Sequence, residues 1–292
     1  MMPVQDQSLS TIGDLLIAAS QRLVEVSDSP RLDAEMLLAA ALNRPRSYLH
    51  AWPERKPEPE PVARFAAWLE RRRSGEPVAY LLGWRGFWSL ELEVTPDTLI
   101  PRPETELLVE LALARLPADQ PVTIVDLGTG SGAIALALAL ERPQARIIAV
   151  DQSRAALAVA RRNARRLNLA HVEFRQGDWC VPLAGERFDL IVANPPYVAV
   201  DDPRWRQGGL RFEPSAALIS GPDGLDALRM IIAQAPNYLQ PGGGLLLEHG
   251  YDQGEAVPAL LRERGFNPVA DHQDLAGLSR ASGGHWPLCS NP

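Results

Sequence analysis

The first stretch of the chain is patterned for helices. Ile12, Leu15, Leu16, Ala19 and Leu23 follow the i, i+3, i+4, i+7 spacing of one buried helical face. Thr11 followed by Asp14 matches a capping box at the start of that helix. A second helix is predicted to open with Ser29 as N-cap and Pro30 at its first position, where a missing N–H does little harm. Val62, Phe65, Ala66 and Leu69 form a third stripe. The proline-rich segment 53–61 precedes it and reads as a stiff loop, because proline removes a donor and clashes with the preceding turn of a helix.

Past residue 80 the period changes. Leu90, Leu92 and Val94 alternate with polar residues, as on a half-buried strand, and Gly83 and Gly86 supply turn chemistry. A β-hairpin over residues 79–96 is therefore expected to link a helical domain, 1–78, to a larger domain, 97–292. In the larger domain strands are predicted over 122–127, 146–150, 172–175, 188–193 and 244–248, with helices over 133–141, 153–167 and 225–239. Such alternation predicts an α/β, Rossmann-like parallel sheet with helices on both faces. Ligands of such sheets bind beyond the carboxyl ends of the strands, so the loops that follow strands carry the candidate chemistry.

The first of those strands ends in Asp126-Leu127 and runs into Gly128, Thr129, Gly130, Ser131 and Gly132. Glycines allow a sharp turn and close approach of a ligand to the backbone at the start of the next helix. The second strand ends at Asp151, about 20 residues further on, where a carboxylate can accept hydrogen bonds from ribose hydroxyls or simply cap the helix that follows. Asp178 and Trp179 follow the third strand, placed to flank the edge and face of an adenine, or to form a turn with a packed indole. Gly128, Gly130 and Ala133 also fit a dinucleotide pattern, so a nicotinamide enzyme competes with an S-adenosylmethionine enzyme. Asp126 suits an amino-acid ammonium group. The five histidines, His50, His171, His249, His272 and His285, form no cluster by spacing. Both features favour S-adenosylmethionine.

The fourth strand leads directly into Asn194, Pro195, Pro196 and Tyr197. Two prolines fix the backbone and withhold two donors, which frees nearby carbonyls to face a ligand. The Asn194 side-chain oxygen and the Pro195 carbonyl can accept both hydrogens of an NH₂ group, and Tyr197 offers a flat face for stacking. A planar amide or amino nitrogen is a poor nucleophile with a weakly acidic proton. Acceptors that orient it favour the positive charge developing on nitrogen, so no general base is expected. The rival reading of this motif is a rigid turn after a strand.

Charge and composition narrow the substrate. The formal net charge is −7, which argues against tight non-specific binding to a phosphate backbone. The run Arg161, Arg162, Arg165 and Arg166 reads as a solvated helix face. Cys180 and Cys289 are far apart and form no CxxC pair, so neither a zinc site nor a redox pair is expected, although a disulfide between them stays open. The first ten residues lack a basic segment followed by an apolar core, and the apolar run 133–140 is far shorter than the roughly 20 residues of a membrane span. A cytoplasmic, monomeric protein without membrane or direct nucleic-acid contact is expected. A DNA adenine methyltransferase would need a recognition domain and a basic cleft, and neither is evident. A non-enzymatic module sharing the fold would not require both motifs intact.

Taken together the motifs identify a resemblance. The glycine loop, Asp151, Trp179 and Asn194-Pro195-Pro196-Tyr197 occur with Thr98-Leu99-Ile100-Pro101-Arg102-Pro103-Glu104-Thr105-Glu106, with Phe212-Glu213-Pro214, with Asp223-Gly224-Leu225-Asp226 and with Leu247-Glu248-His249-Gly250. In these the chain resembles the HemK/PrmC family, the release factor glutamine methyltransferases. The resemblance implies a seven-stranded, class I S-adenosylmethionine-dependent methyltransferase sheet behind a small helical bundle. It implies methylation of the side-chain amide nitrogen (N5) of the glutamine in the Gly-Gly-Gln motif of class I peptide chain release factors. It assigns Gly128, Thr129, Gly130, Ser131, Gly132, Asp151, Trp179 and Asn194 to the cofactor. Asn194, Pro195, Pro196 and Tyr197 fall to the glutamine, with Asn194, Pro195 and Tyr197 as the catalytic set, and the helical bundle to the release factor. Arg102 and Glu104 are further candidates for the cofactor pocket, although Pro103-Glu104 also reads as a helix start.

Overall fold

The computed structural model of the protein describes residues 10–117 and 120–288. Cys289 and most of the segment in which no leader was expected lie outside the described residues; Cys180 is buried and free. The chain divides into two compact units, Met1–Gly83 with Arg206–Phe212, and Trp84–Trp205 with Glu213–Pro292.

The first unit is helical. Helix α1 (Ile12–Leu23) opens with the expected capping box: the Thr11 hydroxyl accepts from the Asp14 N–H, and the Asp14 carboxylate accepts from the Thr11 N–H. Ile12, Leu16, Ala19 and Leu23 are buried against Leu37 and Leu38 of α2 (Pro30–Ala41), Leu49 of α3 (Arg46–Ala51), and Phe65 and Leu69 of α4 (Pro59–Arg73). Ser29 is the N-cap of α2, without a side-chain cap bond.

Two sequence expectations are corrected here. Helix α4 begins inside the segment read as a loop, with Pro59 and Pro61 in its first turn. The first four N–H groups of a helix have no intrahelical partner, so proline removes nothing there. Residues 80–82 belong to a short helix, α5 (Val78–Leu82), rather than to a hairpin; Gly83 ends it in the left-handed region.

The second unit opens with the hairpin, β1 (Trp84–Phe87) against β2 (Leu90–Glu93). Gly86 is not in its turn but within β1, opposite Glu91; the turn is Trp88-Ser89, with Trp88 at φ 56. Leu90 and Leu92 are buried and Glu91 is exposed, as the alternation predicts. Glu93 and Glu91 pair with Arg162 and Arg166 of α8 (Arg154–Arg166), so two of the four clustered arginines hold the hairpin. Asn163 of the same helix is fully buried. Its amide accepts from the Glu93 N–H at 2.7 Å and donates to the Glu93 carbonyl at 3.0 Å and the Ser131 carbonyl at 2.9 Å.

Helix α6 (Glu106–Arg115) then leads to a seven-stranded sheet of order β5-β4-β3-β6-β7-β9-β8. The strands are β3 (Thr123–Leu127), β4 (Arg146–Asp151), β5 (Glu173–Gln176), β6 (Phe188–Ala193), β7 (Leu239–Glu248), β8 (Val269–Gln273) and β9 (Ser279–His285). The first five are parallel, but β9 pairs antiparallel with both β7 and β8. The parallel arrangement expected of the five predicted strands holds, and two further strands that the hydrophobic pattern did not predict, β8 and β9, make the sheet mixed. The helix expected over 225–239 is shorter: α9 (Asp226–Gln234) stops before Pro236, and Leu239 already belongs to β7.

The period of two along each strand builds two cores. Ile124, Ile147, Ala149, Leu190 and Val192 face one side of the sheet with α6 and α7 (Ala133–Glu141). Val125, Ile148, Val150, Ile191 and Leu245 face the other with α9 and α10 (Ala256–Arg264). Strand β3 lies between β4 and β6. The chain order reverses there, so the carboxyl ends of β3 and β6 open side by side onto the crevice where such sheets take ligands.

Candidate active site

The loop after β3 is built from beneath. Asp126 is fully buried and its Oδ2 accepts from the Thr129 hydroxyl at 2.6 Å and the Ala135 N–H at 3.2 Å, tying the loop to the start of α7. Burial pushes its carboxyl up to about 7, against these hydrogen bonds. Asp126 is not among the residues lining the cavity above, so its geometry is that of a loop anchor rather than the expected partner of an ammonium group. Its Oδ1 is buried without a partner.

Gly128 adopts φ +77, and a Cβ there would sit 3.4 Å from the Trp179 ring. The Gly130 N–H donates to Asp151 Oδ2 at 2.8 Å, while a Cβ at Gly130 would meet open space. These two glycines line the cavity. Thr129, Ser131 and Gly132 do not: the Thr129 hydroxyl bonds Asp126, the Ser131 carbonyl accepts from Asn163 of α8, and Gly132 packs on Leu136 and Ala160.

A cavity open in part to solvent lies above this loop. Gly128, Gly130, Asp151, Asp178, Trp179, Asn194 and Pro196 contribute to its wall. Asp151 is not the cap of α8; Ser153 is, through its hydroxyl to the Ala156 N–H. Asp151 Oδ2 accepts from the Gly130 N–H and Oδ1 from the Ser153 N–H, at 2.8 Å each, and the residue lines the cavity. Burial raises the Asp151 pKa against those bonds. Trp179 is held at φ 44, a strained conformation for a bulky residue and of the kind that collects at ligand sites.

Sequence reasoning missed part of the wall. Asp97, Thr98 and Leu99 line it, as do Pro214, Ala216 and Ala217. The two segments are joined by Glu213, whose carboxylate accepts from the Ile100 N–H at 3.0 Å and pairs with Arg102. Arg102 is therefore engaged with Glu213, and neither it nor Glu104 lines the cavity, contrary to expectation. The quoted motifs around 98–106 and 212–214 were the available signal; their juxtaposition depends on the fold.

At the end of β6 the Asn194-Pro195-Pro196-Tyr197 loop is pinned at both ends. Asn194 Nδ2 donates to the Thr105 hydroxyl at 3.1 Å, which leaves Oδ1 as the end of the amide available to a ligand. The Tyr197 hydroxyl donates to Glu248 Oε1 at 3.2 Å. Gln253 Nε2 donates to the Tyr197 carbonyl at 3.1 Å. Asn194 and Pro196 reach the cavity wall, Pro195 is buried, and Tyr197 is half-buried beside them. Burial, reinforced by the neighbouring Glu248, pushes the Tyr197 phenol far above its ordinary range, so it acts as a neutral donor and a flat surface. His249 is buried among Gly250 and Ser282, away from the cavity wall.

A seven-stranded mixed sheet, a glycine loop and an acidic strand end at its reversal point, and Asn-Pro-Pro-Tyr on the adjoining strand define a class I S-adenosylmethionine-dependent methyltransferase. Comparison with known proteins narrows the class. The profile described as PrmC N-terminal domain matches residues 14–83, and that described as methyltransferase domain matches residues 118–276. A release factor glutamine methyltransferase of Pseudomonas aeruginosa is 57% identical over 264 residues, covering 90% of this chain and 95% of that protein. One from Xylella fastidiosa is 54% identical over 273 residues, covering 94% of this chain and 97% of that protein. The chain belongs to the family of release factor glutamine methyltransferases. In fold alone it is also similar to the crystal structure of a methyltransferase from Pyrococcus furiosus, with TM-score 0.51 and 18% identity over 76% of this chain and 100% of that one.

Proposed function

We propose that this protein methylates the side-chain amide nitrogen (N5) of the glutamine in the Gly-Gly-Gln motif of class I peptide chain release factors, using S-adenosyl-L-methionine. The observation that carries this reading is Asn194. It stands at the wall of the cavity lined by Gly128, Asp151 and Trp179, with its amide nitrogen engaged by Thr105, so its oxygen is the end left to receive an NH₂ group. Family membership supports the choice of release factors as substrate.

In this reading Asp151 receives the ribose hydroxyls, Trp179 covers one face of the base, and the loop Gly128, Thr129, Gly130, Ser131 and Gly132 gives the chain room to pass close to the ligand. When bound, S-adenosyl-L-methionine supplies an electrophilic methyl group on its sulfonium. The chain's own residues do the rest. Asn194 Oδ1 and the Pro195 carbonyl accept the two amide hydrogens, and Pro196 and Tyr197 complete the grip. Acceptors on those hydrogens turn the nitrogen lone pair toward the methyl and stabilise the charge that develops on nitrogen. The extra proton then leaves to solvent, so catalysis rests on orientation and electrostatics rather than on a base.

The helical unit is the part assigned to docking the release factor, and the cytoplasm is the assigned location. Among the described residues no helix is long and apolar enough to cross a membrane, and the relatives are bacterial. Methylation of DNA adenine, another reaction to which an Asn-Pro-Pro-Tyr loop is suited, is disfavoured by the net charge of −7.

Asn194→Ala tests the grip. Transfer to a release factor should be abolished while S-adenosylmethionine binding stays measurable by calorimetry. Near-normal turnover in this variant would contradict the hydrogen-bond account.

A further inference from the structure

We propose that Thr105 and Glu248 are positioning residues for the methyl transfer, setting which end of the Asn194 amide faces the cavity and holding the ring of Tyr197 by its hydroxyl. The inference rests on the reading of Asn194 and Tyr197 as the glutamine grip and explains how that grip is oriented.

An asparagine amide has two ends of nearly equal size and opposite chemistry: one accepts, the other donates. Only the oxygen end suits a substrate NH₂, so something must forbid the flipped orientation. Asn194 Nδ2 lies 3.1 Å from the Thr105 hydroxyl. The Thr105 hydroxyl accepts from that nitrogen, so the amide oxygen is the end left to the cavity. Removing the hydroxyl leaves the flipped orientation open.

Glu248, only 2% exposed, holds the other end of the loop. Its Oε1 accepts from the Tyr197 hydroxyl at 3.2 Å, and its Oε2 is buried without a hydrogen-bond partner. Burying a carboxylate that is incompletely satisfied is unfavourable for stability. Its position is accounted for by the phenol it holds. Thr105 stands in the short helical turn ahead of α6, and Glu248 at the end of β7, next to β6 in the sheet. Each lies in a sequence motif, Ile-Pro-Arg-Pro-Glu-Thr-Glu and Leu-Glu-His-Gly, to which the reaction otherwise assigns no task.

The test compares wild type, Thr105→Val, Thr105→Ser and Asn194→Ala, with kcat and KM measured on a release factor, cofactor Kd by calorimetry and Tm for each. Thr105→Val keeps shape but removes the hydroxyl. Its kcat should fall about tenfold or more, as misorientation of a reacting group does, while cofactor Kd stays within about twofold. Thr105→Ser, which restores the hydroxyl, should recover most of the lost kcat. If Thr105→Val keeps kcat within about twofold of wild type while Asn194→Ala is inactive, the positioning role is wrong and the grip survives. If Asn194→Ala itself turns over normally, the grip has failed and the inference falls with it. A loss in Thr105→Val that merely tracks weaker cofactor binding and lower Tm, or that serine does not rescue, also overturns the proposal.

Discussion

Gly128 brings the loop after β3 against the indole of Trp179. At φ +77, Gly128→Ala strains the backbone, and its Cβ would stand 3.4 Å from the ring proposed to cover the adenine. We predict that this variant folds and binds S-adenosylmethionine about tenfold or more weakly by calorimetry, a loss on the order of 1.4 kcal/mol. Titration gives a second prediction. Burial raises the carboxyls of Asp126 and Glu248 to about 7 from 3.8 and 4.5. Glu248 is faced by Thr105, Tyr197, Arg280 and Glu104, and burial outweighs the lowering influence of Thr105, Arg280 and Tyr197. The native state therefore keeps protons that the unfolded chain has released. The stability this confers is greatest below the unfolded pKa values and is lost as pH rises through about 7. Glu248→Gln removes one such titration. Its Tm relative to wild type should shift in the variant's favour between about pH 5 and about pH 8, and a constant difference would contradict the assignment.

At the scale of elements, Asn163 joins the hairpin to the glycine loop, bonding both backbone groups of Glu93 and the Ser131 carbonyl. Asn163→Leu fills the space but strands three buried backbone groups, each worth about 1–3 kcal/mol when left unpaired. We predict a clear fall in Tm and weaker cofactor binding, with Asn163→Asp intermediate because it keeps the acceptor; an unchanged Tm for the leucine variant would refute the coupling. Much of this architecture was legible. The spacing of Ile12, Leu16, Ala19 and Leu23 announced α1, and Val125, Leu127, Ile148 and Val150 announced strands, because a buried face imposes its period on the sequence. The strand β9 was not legible. It reads Ser-Arg-Ala-Ser-Gly-Gly-His, and its buried positions are small residues without apolar alternation. Pro59 and Pro61 misled for a different reason, since proline breaks a helix interior but not a first turn. The chemistry-bearing loops could be read because they follow strands. Thr105 and Glu248 could not, because their meaning comes from meeting residues 89 and 51 positions away.

The whole molecule combines a helical unit with a methyltransferase unit in one chain carrying a net charge of −7. Neither the fold nor the Asn-Pro-Pro-Tyr loop distinguishes a protein glutamine from an adenine by itself. Family membership and the acidic balance make that choice. The account therefore stands most directly on where the methyl group goes. The purified protein is incubated with methyl-labelled S-adenosylmethionine, a class I release factor and duplex DNA in the same vessel, and the products are mapped by peptide mass spectrometry and nucleoside analysis. We predict a single labelled site, the side-chain amide of the glutamine in the Gly-Gly-Gln motif, and unlabelled DNA. Labelled adenine with an unmodified release factor would contradict the account.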